Sequence, residues 1–193
     1  MIGIAGAPGA GKSTYAAALV TRTPDAVLVS MDGFHLADAV LDELGLRDRK
    51  GAPETFDAWG YAALLARLRE ETDRTVYAPS FERNLEQPIA GAVPVLPEVG
   101  TVVTEGNYLL LDQPAWRAAR SCLDEVWFVQ VDGDLRRRRL VDRHIAFGKS
   151  PTEAHAWVAR SDEANAALVE ASRARADRVV ELTDWDPATA PPG

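Results

Sequence analysis

The chain is short of several things, and each shortage removes a class of function. It has one cysteine, Cys122, in 193 residues, so no intrachain disulfide can form and a buried structural thiol is the expectation. No apolar run approaches the roughly 20 residues of a membrane span. A strand that starts at Met1 leaves no room for a signal or transit peptide, and the expected location is cytoplasmic. There is no surplus of positive charge. The net charge of −8 argues against a nucleic-acid binder, which is normally basic. Lysine is scarce as well: Lys12, Lys50 and Lys149 stand against eighteen arginines, as though lysine were kept where something asks for it. Nowhere is there an N-K-x-D or T-K-x-D guanine-reading motif, which disfavours a GTPase switch.

What remains is ordinary for a globular protein, with 47% hydrophobic and 26% charged residues, enough for one domain with a substantial core. One octet stands out. Gly6 to Ser13 reads GAPGAGKS, the G-x-x-x-x-G-K-[ST] spacing of a phosphate cradle. Glycines let the backbone turn so that successive N–H groups point inward at an anion, and a helix starting near Lys12 adds the positive end of its dipole. Gly6, Ala7, Gly9, Ala10, Gly11, Lys12, Ser13 and Thr14 are therefore the expected nucleotide-binding residues. Lys12 reaches the β/γ oxygens, and the Ser13 hydroxyl is offered to Mg²⁺.

Five short β-branched segments read as buried strands: Met1 to Ala5, Ala26 to Ser30, Gly100 to Thr104, Glu125 to Val131 and Arg178 to Leu182. Helical periodicity fills the gaps at Lys12 to Arg22, Ala58 to Glu71, Pro114 to Leu123, Asp134 to Phe147 and Pro151 to Ala174. The alternation predicts an α/β fold of the P-loop NTPase type, three layers deep, with a mainly parallel five-stranded sheet, helices on both faces and a small helical lid. Residues 1–183 are expected to form a single domain, followed by a Pro-rich tail, 184–193. Two long connections interrupt the pattern. Met31 to Asp57 follows the second strand, and Ala78 to Val99 is expected to hold a short hairpin near Ile89 to Leu96.

Ligands of an open parallel sheet gather beyond the carboxyl ends of its strands. Asp32, Glu105 and Asp132 follow three of those ends. Asp32 is the candidate to accept the proton of a substrate hydroxyl, with a metal-orienting or turn role as the rival. Glu105 is the candidate to hold Mg²⁺ with Ser13, while Asp132 is expected to cap the next helix. Arg136 to Arg138 read as a solvated helix face. Arg139 and Arg143 lie four apart on one face, so one of them is expected to close over the phosphates as a lid arginine, joining Lys12 and Asp32 in catalysis.

Beyond the octet, the motifs MDGFHL (Met31 to Leu36), RKGAPETFD (Arg49 to Asp57), PSFERNLEQP (Pro79 to Pro88), EGNYLLLD (Glu105 to Asp112) and RL-x-x-RH-x-x-x-G (Arg139 to Gly148) follow one another in a known order. Over Met1 to Ala176 the chain resembles the superfamily of uridine kinases, phosphoribulokinases and bacterial pantothenate kinases. It is most similar to a branch of nucleoside kinase-like proteins that includes kinases associated with fructose import. The resemblance implies ATP and Mg²⁺, a small-molecule acceptor, Asp32 as base and Glu105 at the metal. It also implies that Arg83, Glu86 and the segment around Asp57 meet the acceptor, with His35 and Tyr108 lining the same pocket. Each has a plainer reading: His35 as a loop histidine, Tyr108 as a core aromatic, Arg83 as an ion-pair partner of Glu82 or Glu86. PSFERNLEQP departs from the tyrosine- and histidine-containing loop of uridine kinases, which leaves the acceptor open. A nucleoside monophosphate kinase and a nucleotide-sensing module are the alternatives. No nucleic-acid or membrane partner is expected, and the chain is expected to be a monomer or homodimer.

Overall fold

The computed structural model describes residues 1–189. Five parallel strands form the main sheet, in the order β2-β5-β1-β6-β7: β1 (Ile2–Ala5), β2 (Ala26–Ser30), β5 (Thr101–Gly106), β6 (Glu125–Gln130) and β7 (Arg178–Glu181). β1 is central, pairing Ile4 with Glu105 on one side and with Trp127 on the other. Because successive side chains alternate faces, the strands feed two cores. Ile4, Val103 and Val129 pack beneath α1 (Lys12–Arg22) with Tyr15 and Ala16. Ala5, Val126 and Phe128 pack on the opposite face with Tyr61 and Leu65 of α3 (Ala58–Glu70) and Trp116 of α4 (Pro114–Ser121). The predicted three-layer α/β architecture is the one observed.

The long connections are more ordered than their sequence suggests. After β2 come a 3₁₀ turn (Met31–Phe34), the short helix α2 (Asp38–Glu43) and two further 3₁₀ turns (Arg47–Arg49 and Pro53–Thr55). The second connection is an antiparallel hairpin of β3 (Val76–Glu82) and β4 (Gln87–Val95), which replaces the shorter hairpin expected near Ile89 to Leu96. The prolines hide it. Pro79 falls where the register shifts between Ala78 and Ser80, and Pro88 and Pro94 face their partners on a two-stranded ribbon whose outer edges need no donor. Val76, Ala78 and Val95 anchor the ribbon against Val29, Leu64 and Val102.

The lid consists of α5 (Gly133–Ala146) and α6 (Pro151–Trp157). α5 is capped as expected by Asp132, which accepts from the Leu135 N–H at 2.9 Å. Ser150 and Glu153 form a reciprocal capping box at the start of α6. The single helix expected over Pro151 to Ala174 is interrupted: a π turn at Val158–Asp162 precedes α7 (Glu163–Glu170), and a 3₁₀ turn at Arg173–Arg175 ends the run. Trp185 holds the segment after β7 against Tyr15, ring centroids 5.6 Å apart. Of the Pro-rich tail, residues 190–193 lie outside the described residues. No helix among the described residues is long and apolar enough to cross a membrane.

Candidate active site

The octet forms a tight loop between β1 and α1. Gly9 (φ 80°) and Gly11 (φ 93°) occupy left-handed backbone, and a Cβ on Gly9 would lie 2.9 Å from the Arg136 carbonyl and 2.8 Å from Leu140. Both positions therefore demand glycine. The N–H groups of Gly9, Gly11, Lys12 and Ser13 have no protein acceptor among the described residues, as a cradle for an anion requires. Lys12 folds back so that its ammonium donates to the Ala7 carbonyl at 3.2 Å. Burial pulls its pKa below the ordinary lysine value, Arg143 and Arg83 add to the fall, and Glu105 and Asp32 oppose it. An ammonium poised this way gains from a nearby polyanion, which would return its charge to favour.

The two acids arrive from neighbouring strands. Ser30, the last residue of β2, pairs in register with Glu105 on β5, and the Ser30 hydroxyl donates to Glu105 at 2.5 Å. The same hydroxyl accepts from the Asp32 N–H at 3.2 Å, starting the 3₁₀ turn that carries Asp32. Glu105 is 4% exposed. Its pKa is raised, first by burial and then by Asp32, against the pull of Lys12, Ser30 and Ser13. Two carboxylates crowding each other beside a serine hydroxyl form a donor set suited to a hard divalent cation. Ser13 and Glu105 are the residues that would hold it; among the described residues no cluster of three or more acidic, histidine or cysteine side chains exists, so phosphate oxygens and water would complete its shell.

Beyond Asp32 the cleft opens to about 580 Å³. His35 lies between Phe56 and Phe81, with ring centroids at 4.0 and 4.8 Å. Its Nδ1 is 2.8 Å from the Asp32 carbonyl, and because a carbonyl only accepts, Nδ1 carries the proton. Burial lowers the His35 pKa, so the ring is neutral and presents Nε2 as an acceptor. Arg83, at the hairpin tip, places its guanidinium 3.5 Å from the Asp32 carboxylate, and Glu86 borders the cleft beside it. From the lid comes Arg143, whose pKa is lowered by the protein around its guanidinium and by Arg83, with Asp162 opposing. Six basic side chains, Lys12, Arg47, Lys50, Arg83, Arg143 and Lys149, line the cleft with five carboxylates. In a chain of net charge −8, this is where an anion finds compensation.

Of the expected nucleotide-binding residues, Gly6, Ala7, Ala10, Gly11 and Thr14 do not line the cleft, and neither do Asp57, Tyr108 and Arg139. Asp57 turns its carboxylate to the start of α3, accepting from the Gly60 N–H at 2.8 Å, and so serves as a helix cap. Tyr108 is fully buried against Phe56 and Trp116, where a core aromatic would sit, and its hydroxyl donates to the Gly51 carbonyl. Arg139 sits outside the cleft with its guanidinium 3.7 Å from where a Gly11 Cβ would be. The helical turn that puts it on the same face as Arg143 also carries it about 6 Å along the axis.

Two other groups take places that the sequence did not show. Arg136 is not a solvated residue: it is 7% exposed, donates to the Pro8 carbonyl at 3.3 Å and pairs with Glu163, tying the phosphate loop to α7. Asp162, on the π turn, accepts from His144 Nε2 at 2.8 Å and reaches the cleft. A π turn inserts an extra residue and often marks a functional site, but its signal in sequence is a helix pattern that loses phase, too faint here to see.

A model of the phosphoribulokinase/uridine kinase family matches residues 1–184. A Schizosaccharomyces pombe protein named "Putative uridine kinase C227.14" is 34% identical over 94% of this chain and 82% of its own length. An Aspergillus versicolor "ATP-dependent kinase-like protein" is 40% identical over 65% of this chain and 77% of its own. Among solved structures, a "putative fructose transport system kinase" from Silicibacter superposes with a TM-score of 0.84 at 38% identity, covering 96% of this chain and 88% of the other.

Proposed function

This chain belongs to the phosphoribulokinase/uridine kinase family, and we propose on that footing that its cleft transfers the γ-phosphoryl group of ATP to a hydroxyl of a nucleoside, a sugar or a pantothenate-like alcohol. An ATP-dependent small-molecule kinase is the activity its relatives carry. The observation that supports the roles below is the convergence of Asp32, Glu105 and Lys12 in one cleft, with Arg83 and His35 set against Asp32.

The phosphate loop and Lys12 bind and orient the triphosphate, and Arg143 closes on it from the lid. Mg²⁺ held by Ser13 and Glu105 would neutralise charge on the phosphate oxygens. Asp32 accepts the proton of the acceptor hydroxyl as that oxygen bonds to phosphorus and the bond to ADP breaks. Arg83 pairs with the Asp32 carboxylate at 3.5 Å and faces the acceptor. His35 offers Nε2 to a second donor on the acceptor, and the rings of Phe56 and Phe81 fix the histidine plane.

The test is a panel of nucleosides, sugars, sugar acids and vitamin precursors assayed for acceptor-dependent ADP release, with wild type and Asp32→Asn side by side. Asp32→Asn should lose turnover by about 10²–10⁴-fold, the usual contribution of a positioned base, while ATP affinity is unchanged. Wild-type turnover in that variant would remove Asp32 from the chemistry. No stimulation by any compound would overturn the kinase reading and leave nucleotide sensing.

A further inference from the structure

The hairpin tip that presents Arg83 has little of its own to hold it in place. It is a four-residue turn, Arg83 to Glu86, at the end of a two-stranded ribbon that is not part of the main sheet, and such ribbons are marginally stable by themselves. Leu85 is 62% exposed, so no core lies under the tip. Glu86 adopts φ 54°, left-handed backbone that a residue with a side chain keeps only when its surroundings insist.

What insists is Lys50. Its side chain is 15% exposed, and its ammonium donates to Asp38 Oδ1 at 2.7 Å and to the Glu86 carbonyl at 2.5 Å, lying 5.4 Å from the centre of the Phe81 ring. A second, weaker tie runs alongside, with the Asp38 N–H donating to the Gln87 side chain at 3.3 Å. The next residue is bound as firmly. The Gly51 N–H donates to the Thr55 hydroxyl at 3.0 Å, and its carbonyl accepts from the buried Tyr108 hydroxyl and from Asn165 Nδ2 on α7 at 3.4 Å. The Lys50–Gly51 corner thus joins the hairpin, the segment after β5 and the helix that follows the lid, three walls of the same cleft.

We propose that Lys50 is a positioning residue for the acceptor: from this corner it fixes the hairpin tip so that Arg83 stands at Asp32, and it thereby sets acceptor affinity without touching the reacting atoms. The acceptor half of this inference rests on the kinase reading. The tie itself does not. Lysine suits the task because a compact ammonium donates in three directions, here to a carboxylate and a carbonyl on separate segments, with an aromatic face closing the third side.

Lys50→Met keeps the aliphatic stem and removes the charge and donors; Lys50→Arg restores both. Hydrogen exchange needs no acceptor, and in Lys50→Met the amides of Glu82 to Gln87 should exchange about tenfold faster or more, the scale set by losing a hydrogen bond to a charged group. Exchange in Gly6 to Ser13 should not change, and Lys50→Arg should recover most of the protection. With whichever panel compound is phosphorylated best, Lys50→Met should raise the acceptor KM about tenfold or more by the same reasoning, while the ATP KM stays within about twofold. Unchanged exchange at the tip would overturn the inference, and so would an equal rise in both KM values. A panel in which nothing is phosphorylated overturns the kinase reading and the acceptor half together, and exchange still decides whether Lys50 holds the tip.

Discussion

Gly33→Ala tests how closely the turn that carries Asp32 is fitted to the hairpin. A Cβ on Gly33 would lie 2.5 Å from the Pro79 carbonyl oxygen and 2.7 Å from its carbon, with the proline ring at 3.1 Å. The first two contacts are closer than real Cβ atoms approach and both are backbone, so no side-chain rotation relieves them. Either the 3₁₀ turn Met31–Phe34 or β3 must move. Overpacking of this kind costs about 1–3 kcal/mol, and at roughly 2–4 °C per kcal/mol for a chain of this size Tm should fall by about 2–12 °C. Because Asp32 is the adjacent residue, a shift approaching 1 Å should also lower turnover by about 10²-fold, the penalty for misplacing a reacting group by that distance. The phosphate loop lies on the other side of Asp32 and needs no movement, so ATP binding should survive. The control is Gly100→Ala, where the nearest atom is 3.8 Å away and φ is not positive; it should leave Tm within about 1 °C of wild type, as surface substitutions away from such features do. Thermal melts, ATP titration and initial rates on the three proteins decide the matter. A Gly33→Ala protein with wild-type Tm would show that the hairpin does not press on the turn and that Arg83 reaches Asp32 across a loose contact.

Two further outcomes follow from buried polar groups. Tyr61 donates to the Thr104 hydroxyl at 2.6 Å, and that hydroxyl donates on to the Val29 carbonyl at 2.6 Å, linking α3 to β5 and β2. Tyr61→Phe should lower stability by about 1 kcal/mol without altering ATP affinity, and a loss above about 3 kcal/mol in chemical denaturation would mean that the link carries more than one hydrogen bond. His35, held below its usual 6.5 by burial with Asp32 opposing, stays neutral in the folded protein, whereas the unfolded chain takes up a proton as pH falls through about 6.5. Stability should therefore decline below pH 6.5 until the lowered folded pKa is reached, and His35→Gln should flatten that part of a Tm–pH curve. An unchanged acid limb in His35→Gln would show that the folded ring is already charged.

Legibility differed from residue to residue for a physical reason. Gly6 to Ser13 could be read because its chemistry is written in consecutive residues: glycines for the turn, then a lysine and a hydroxyl at the start of a helix. Asp32 and Glu105 could be read because parallel strands bring their carboxyl ends to one edge, so a residue's distance from its strand end places it. Asp132 as a cap needed only its neighbour three residues on. The hairpin was harder, since Pro79, Pro88 and Pro94 read as breakers until pairing shows that the ribbon has free edges. Asp57 misled because its motif suggested the cleft, while the Gly60 N–H, three residues away, claims the carboxylate.

By itself the sequence determined the phosphate loop, the alternation of strands and helices, and the edge of the sheet where the acids gather, because each depends on residues a few positions apart. The tertiary structure alone decided that Arg143 enters the cleft and Arg139 does not, that Arg136 is buried beneath the phosphate loop, and that Lys50 and Gly51 join segments as distant as Glu86, Tyr108 and Asn165. Those contacts span 36 to 114 positions, and a partner at that separation is chosen by how packed elements meet, which no local pattern of residues encodes.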